Sequence, residues 1–214
     1  MLITYHGHAK FCIETESGMT IVTDPFDAGV GYPIQPVKAD ITLVSHGHHD
    51  HNAVDTLTEA GRVIDQAGTY TWPEGVSVRA VLSDHDDVNG EKRGKTLLFC
   101  VETEGLRLVH LGDLGRMLTA EEIALLSPAD IVMVPVGGFY TINADVAKQV
   151  CDALNPQVII PMHYRTEVNA GWPIESEETF VKQFHAREVE KVASLRVTKG
   201  DLLETMRVAV LEHP

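Results

Sequence analysis

Short apolar runs, broken by polar and turn-forming residues, mark the first half of the chain as mostly strands. Leu2 to Tyr5, Lys10 to Thr15 and Met19 to Asp24 read as a meander, with Glu16-Ser17-Gly18 as a turn. Pro25 to Lys38 is rich in Gly and Pro and reads as a loop. Asp40 to Ser45 is apolar enough for a buried strand. Ala53 to Ala60 reads as a short helix, with Asn52 as its N-cap and Gly61 as its stop. Further strands are expected near Arg62 to Asp65, Thr69 to Trp72 and Val76 to Ser83.

The second half alternates strands with helices. Thr96 to Glu102 and Leu106 to Leu111 flank a hairpin turn. Ala120 to Leu126 is a helix, opened by a Thr119–Glu122 capping box and stopped at Ser127-Pro128. Asp130 to Pro135 is a strand, and Ala144 to Leu154 a helix capped by Asn143. Gln157 to Met162 is a strand. Glu177 to Ala186 is expected to be helical, because Phe180, Val181 and Phe184 share one face. Val192 to Val197 and Leu202 to Val210 close the chain as strands. Strands first, then strand–helix alternation, argue for mixed α/β layers in one domain spanning residues 1–214.

Composition narrows the function. A net charge of −14 disfavours a nucleic-acid partner, since such a surface repels phosphate backbones. No apolar stretch is long enough to span a bilayer. The opening Met1 to His6 lacks the form of a signal peptide, which points to a cytoplasmic protein. Cys12, Cys100 and Cys151 are widely spaced among apolar residues and read as buried free thiols.

The chemistry concentrates in "HGHHDHN", His46 to Asn52. His and Asp together favour zinc or a related divalent metal. At a strand end, positions i and i+2 point the same way, so His46 and His48 can grip one metal while His49 points elsewhere. Asp50 and His51, in the turn that follows, can face a second. A zinc site wants three protein ligands and an open position. Three later strands each end in a possible ligand: His85, Asp113 in "HLGDLG", and His163 in "PMHY". Strand carboxyl ends are where α/β sites form.

Together these residues resemble the metallo-β-lactamase superfamily: HxHxDH, a lone His, a Gly-Asp turn and a late His. Gly7-His8-Ala9, Asp24-Pro25-Phe26 and Pro161-Met162-His163-Tyr164 resemble its branch of L-ascorbate-6-phosphate lactonases and phospholipases D acting on N-acylphosphatidylethanolamines. The resemblance implies a four-layer αββα sandwich and a dinuclear site. His46, His48 and His85 would hold one metal, Asp50, His51 and His163 the other, and Asp113 would bridge them. Leu114 stands where the family often has Thr, which removes a hydroxyl beside Asp113. The two ions would be zinc, with manganese or iron as alternatives.

A dinuclear site generates hydroxide near neutral pH, with no serine or cysteine nucleophile needed. Asp50 would orient that hydroxide. His8 is a candidate for substrate contact or support of the site; His6 reads as structural. His110 reads either as functional or as buried and hydrogen-bonded. Tyr140 and Arg165 are candidates for meeting a substrate anion, and Asp86 or Asp87 for competing for metal or orienting His85. Substrate-recognition residues are expected in loops such as Pro25 to Lys38 and Asp86 to Lys95. The expected activity is hydrolysis of a small ester or lactone. The alternatives are a phosphodiesterase on the same core, a metal-binding protein without hydrolysis, and a redox di-iron site. A small-molecule substrate is expected, and a homo-oligomer is compatible with the sequence.

Overall fold

The computed structural model describes residues 1–202 and 206–213. The opening meander forms as β1 (Leu2–Tyr5), β2 (Phe11–Glu14) and β3 (Thr20–Thr23), antiparallel throughout. β4 (Ile41–Leu43) and β5 (Arg62–Ile64) add to it in parallel. Then come β6 (Gly68–Thr71), β7 (Ser77–Asp84), β8 (Lys95–Thr103) and β9 (Leu106–His110), paired as antiparallel neighbours. Helix α1 (Ala120–Leu126), β10 (Ile131–Pro135), α2 (Ala144–Leu154) and β11 (Val158–Met162) follow. The last elements are α3 (Glu178–Val181), β12 (Val189–Val192), β13 (Ser194–Arg196) and β14 (Arg207–Leu211). Strand order is β13-β1-β2-β3-β4-β5 in one sheet and β12-β14-β11-β10-β9-β8-β7-β6 in the other.

Both sheets are mixed, and they pack face to face. The two-residue period of the strands decides which side chains meet. Ile3, Tyr5, Phe11, Ile13, Ile21 and Ile41 enter the shared core. Cys12 and Val22 face the other way, under Ala39 and Leu57. β10 and β11 are buried along their whole length, as parallel strands covered on both faces should be. Helix α2 packs on β10 of this second sheet, and α1 packs against α2. The Thr119–Glu122 capping box forms, and Asn143 accepts from the Val146 amide at 3.0 Å. All three cysteines are buried and free. Among the described residues no helix is long and apolar enough to cross a membrane.

Four expectations need correction. Ala53 to Ala60 holds only a 3-10 turn at Val54–Thr56. The rest is pulled into backbone pairing, with Thr58 donating to Val37 O and Ala39 to Glu59 O, so an α-helix cannot continue. Asn52 does not cap it; its side chain reaches back to Gly47 O at 3.0 Å. Glu177 to Ala186 keeps the expected buried Phe180, but the α-helix stops at Val181. Beyond it the bonds tighten to the i→i+3 type, from Gln183 to Phe180 and Phe184 to Val181. Val192 to Val197 is two strands in different sheets: β12 pairs with β14, and β13 with β1. The strand expected from Leu202 begins at Arg207, and residues 203–205 of that expectation lie outside the described residues.

Strand direction places the site. β9, β10 and β11 run parallel, and β7 runs with β9 because each is antiparallel to β8. Their carboxyl ends therefore share one edge of the second sheet. Leu97 at the start of β8 donates to Ser45 O at 2.8 Å, which stitches the end of β4 to the same edge. Gly115 completes the seam by donating to Asp84 O at 2.9 Å. A Cβ at Gly115 would overlap the Asp86 amide nitrogen and the His85 carbonyl carbon, which are backbone and cannot turn aside. Gly115→Ala should therefore cost about 2 kcal/mol or more through overpacking, read as a lower urea midpoint with an unchanged slope. An unchanged midpoint would contradict this close approach.

Candidate metal centre

The loop after β4 is wound tightly enough to aim several side chains at one point. His51 and Asn52 both donate backbone N–H groups to His48 O, at 2.9 and 3.1 Å. His46, His48, Asp50 and His51 then face the sheet edge. His49 turns away, is exposed, and meets Asp27 Oδ1 at 3.2 Å. His85 follows β7 directly, and its amide donates to Gly94 O. Asp113 follows β9, with its amide donating to the Thr96 hydroxyl at 3.2 Å. His163 follows β11 in a left-handed conformation, and its amide donates to His8 O at 2.8 Å.

All seven expected residues come together, and His8 joins them. Three groups place candidate ligand atoms within 4.8 Å of one another: His46, His48 and His85; His8, Asp50, His51 and His163; and His46, His51 and Asp113. His8 Nε2 lies 3.1 Å from Asp50 Oδ2 and 3.2 Å from His51 Nε2. Asp113 Oδ2 lies 3.3 Å from Nε2 of His51, His85 and His163, and 3.9 Å from that of His46. His46, His48 and His85 form one group, Asp50, His51 and His163 share another with His8, and Asp113 groups with His46 and His51, one residue from each.

Hydrogen bonding alone does not satisfy the cluster. Ser45 Oγ donates to Asp24 Oδ2 at 2.8 Å. His46 Nδ1, 2.9 Å from that same Oγ, must then be the donor, which leaves Nε2 with its lone pair. His46 Nε2 faces His48 Nδ1 at 2.9 Å. Among the described residues, Asp113 Oδ1 is buried with no hydrogen-bond partner, as are Nδ1 of His85 and His163. Burial works against charge on His51, yet the nearby Asp113 and Asp24 carboxylates raise its pKa well above the ordinary value. That field calls for positive charge between the rings, and bound cations meet the demand better than trapped protons. The donor set, imidazole and carboxylate without thiolate, suits a divalent first-row metal. The residues present therefore fit a metal centre.

Asp24 is the functional residue that sequence reasoning missed, although it opens the Asp24-Pro25-Phe26 motif. It is fully buried and accepts from Ser45 N at 2.7 Å, from Ser45 Oγ, and from His51 Nδ1 at 3.0 Å. One carboxylate thus fixes the tautomer of His51 directly and that of His46 through Ser45, aiming both Nε2 atoms at the cluster. Burial raises the Asp24 pKa, but the His51 charge and hydrogen bond outweigh it and hold it below the ordinary value.

The other candidates separate cleanly. His110 is buried; it donates Nε2–H to Ala9 O at 3.1 Å and accepts the Gly112 amide at Nδ1. It ties the His8 loop to the Asp113 turn, which is the buried, hydrogen-bonded reading. His6 forms no part of the ligand groups. Asp86 does not orient His85. Its carboxylate accepts four backbone amides, from Val88, Gly90, Lys92 and Arg93, and so shapes the loop instead. Asp87 meets Lys92 at 3.7 Å rather than His85. Arg165 lines a different cavity of about 530 Å³, beside Glu167 and Glu177. Tyr140 lies at the mouth of the metal site, in a cavity of about 700 Å³ with Lys92, Arg93 and Trp172. Of the two expected recognition loops, Asp86 to Lys95 contributes to this cavity, and Pro25 to Lys38 contributes nothing to its lining.

Known proteins match this chain over most of its length. Residues 2–163 match the family model of the beta-lactamase superfamily domain. A Thermoplasma volcanium protein described as a UPF0173 metal-dependent hydrolase is 32% identical, over 77% of this chain and 83% of its own. A Thermotoga maritima structure, described as a zinc-dependent hydrolase of the metallo-beta-lactamase superfamily, is 37% identical with a TM-score of 0.81. That alignment covers 100% of this chain and 99% of the other. The diiron β-hydroxylase CmlA from Streptomyces venezuelae, 15% identical, shares the fold alone, with a TM-score of 0.60 over 84% of this chain and 49% of its own.

Asp24→Asn removes one strong acceptor from behind two imidazoles while keeping the size. It should weaken zinc binding about ten- to hundredfold, measured by competition with a chelating dye. Unchanged affinity would take Asp24 out of this supporting position.

Proposed function

The chain belongs to the metallo-β-lactamase superfamily, and from that footing we propose that it is a metal-dependent hydrolase of a small ester or lactone. The observation that carries this reading is the convergence on Asp113 Oδ2, one buried carboxylate oxygen 3.3 Å from three imidazole nitrogens, with its sister oxygen unpartnered. On this reading His46, His48 and His85 hold one cation, Asp50, His51 and His163 the other, and Asp113 lies between them. Zinc suits the donors best, with manganese or iron as substitutes. Two such cations would supply hydroxide near neutral pH and polarise the substrate oxygen.

The chain's own residues do the rest. The Asp50 side chain is partly exposed and lines the cavity, where its carboxylate would accept a hydrogen bond from the attacking water and orient it. His8 Nε2, 3.1 Å from Asp50 Oδ2, holds that carboxylate in place. Burial and the neighbouring His163 hold the His8 pKa down to about 4, so its imidazole is neutral at pH 7 and donates one N–H. Trp172, which lines the cavity, packs edge-on against His8 at 5.3 Å. The net reaction adds one water across an acyl C–O bond and yields a carboxylate, an alcohol and a proton. A lactone gives both products in one molecule.

The test loads the protein separately with zinc, manganese and iron. Turnover of a panel of small lactones is compared with that of an activated phosphodiester. Faster lactone turnover, reduced about a hundredfold or more by Asp50→Ala, is the expected result. Faster phosphodiester turnover would move the reading to a phosphodiesterase. Silence on both with metal bound would leave a metal-binding protein and refute the hydrolase reading. His48→Ala should lose at least one bound metal by elemental analysis. Full metal content in that variant would refute the ligand assignment.

A further inference from the structure

The mouth of the cavity has a charge the rest of the protein does not suggest. The chain carries a net charge of −14, yet the wall facing the candidate metal centre presents Lys92 and Arg93. Lys92 is exposed and lies 3.7 Å from Asp87, which offsets part of its charge. Arg93 is different. It is half-buried, and among the described residues it forms no ion pair with a carboxylate. Its guanidinium lies over the Tyr140 ring, 5.7 Å from the centroid. Tyr140 packs edge-on to Trp172 at 6.1 Å, and Trp172 edge-on to His8 at 5.3 Å. A run of aromatic contacts thus links Arg93 to the metal cluster along one wall of the cavity.

The base of Arg93 is also set. The Asp86 carboxylate accepts the Val88 and Gly90 amides at Oδ1, at 2.9 and 2.7 Å. It accepts those of Lys92 and Arg93 at Oδ2, at 2.9 and 2.8 Å. Four bonds to one buried side chain hold this loop in a single shape. The next residue but one, Lys95, is tied to Asp84, as is Arg116 at 2.7 Å. Their charges are used within the fold. Arg93 brings a planar, oxyanion-binding fork to the cavity and, among the described residues, is not neutralised by an ion pair, although Asp50 and Asp113 line the same cavity at the metal cluster.

We infer that Arg93 is the anion-recognition residue of this site, so that the substrate carries an oxyanion, carboxylate or phosphate, beside the bond that is cleaved. This rests on the hydrolase reading for the cleaved bond but not for the anion. Asp86 acts through Arg93 as a positioning residue, and Tyr140 and Trp172 supply the apolar wall between anion and reacting group. Arg165, the arginine that sequence position favoured, stands in another cavity and has no part in this.

The experiment uses zinc-loaded protein and two activated esters that differ in charge, para-nitrophenyl acetate and mono-para-nitrophenyl glutarate. The wild type should prefer the anionic ester in kcat/KM. Arg93→Gln should reduce the ratio of anionic to neutral about tenfold or more, with the loss in KM, since a charge-assisted bond is removed from ground state and transition state alike. Arg93→Lys keeps the charge and should recover part of the ratio. Equal loss on both esters, or an unchanged ratio, would reduce Arg93 to a support for Tyr140 and overturn the inference. A second readout needs no turnover. Glutarate and inorganic phosphate are titrated into both proteins, with binding followed by calorimetry and by tryptophan fluorescence. Weaker binding in Arg93→Gln supports the inference, and the ion with the larger difference identifies the oxyanion. Equal binding in the two proteins overturns it. If neither ester is cleaved, the hydrolase reading fails while the titration still decides the anion site.

Discussion

The Asp24 carboxylate is wholly buried where β3 meets the end of β4, a place where an unpaired charge would be prohibitively costly. Three donors fill it: Ser45 N, Ser45 Oγ and His51 Nδ1. Removing any of them would leave part of a buried charge without a partner, which costs more than the bond itself contributes. So the strand end, the serine and the histidine are fixed as a unit. His46 follows from Ser45, and the direction of its free nitrogen follows from His46. The left-handed conformation of Asp24 itself belongs to the same constraint. Such strain persists only where the surroundings hold it, and here three hydrogen bonds do so.

From that unit the rest of the centre is a matter of strand direction. β7, β9 and β11 run the same way, so His85, Asp113 and His163 emerge at one edge without any loop having to travel. Two cross-ties then set the depth. His110 bonds Ala9 O and the Gly112 amide, joining the residues beside His8 and Asp113. The His163 amide bonds His8 O, joining the first loop to the last. The N-terminal meander is thereby part of the centre, although its polar residues look like ordinary turn chemistry.

Much of this was legible in the chain, for identifiable reasons. Strands bounded by turns were readable because burial follows a two-residue period, and HxHxDH was readable because no packing rule produces four histidines and an aspartate in six residues. The short helices were not. Ala53 to Ala60 has helix-compatible residues, but pairing with Val37 to Ala39 overrides local preference, and no sequence pattern announces that partner. Asp24 was visible as a motif and not as a function, because its meaning lies in Ser45 and His51 across a sheet seam. Asp86 looked like a rival ligand because it neighbours His85. Its side chain points into its own loop, and only coordinates distinguish a carboxylate that faces amides from one that faces imidazoles. Arg93 carried no signal beyond lying in a loop expected to face substrate.

The acidic surface and the basic rim then have one explanation. A strongly negative surface slows the approach of any anion, and it slows large polyanions most, because they meet many surface charges at once. A small anion meets few of them, and at physiological salt charges beyond about 8 Å are screened. For such a molecule the local field decides: Arg93, Lys92 and, on the proposed reading, the cations held by the cluster. The carboxylates of Asp24, Asp50 and Asp113 each meet a histidine, which offsets their charge at the substrate. Surface and mouth therefore select together. On the proposed reading, the acidic surface disfavours a polyanion while the mouth admits a small anion, a discrimination that neither charge distribution would achieve alone.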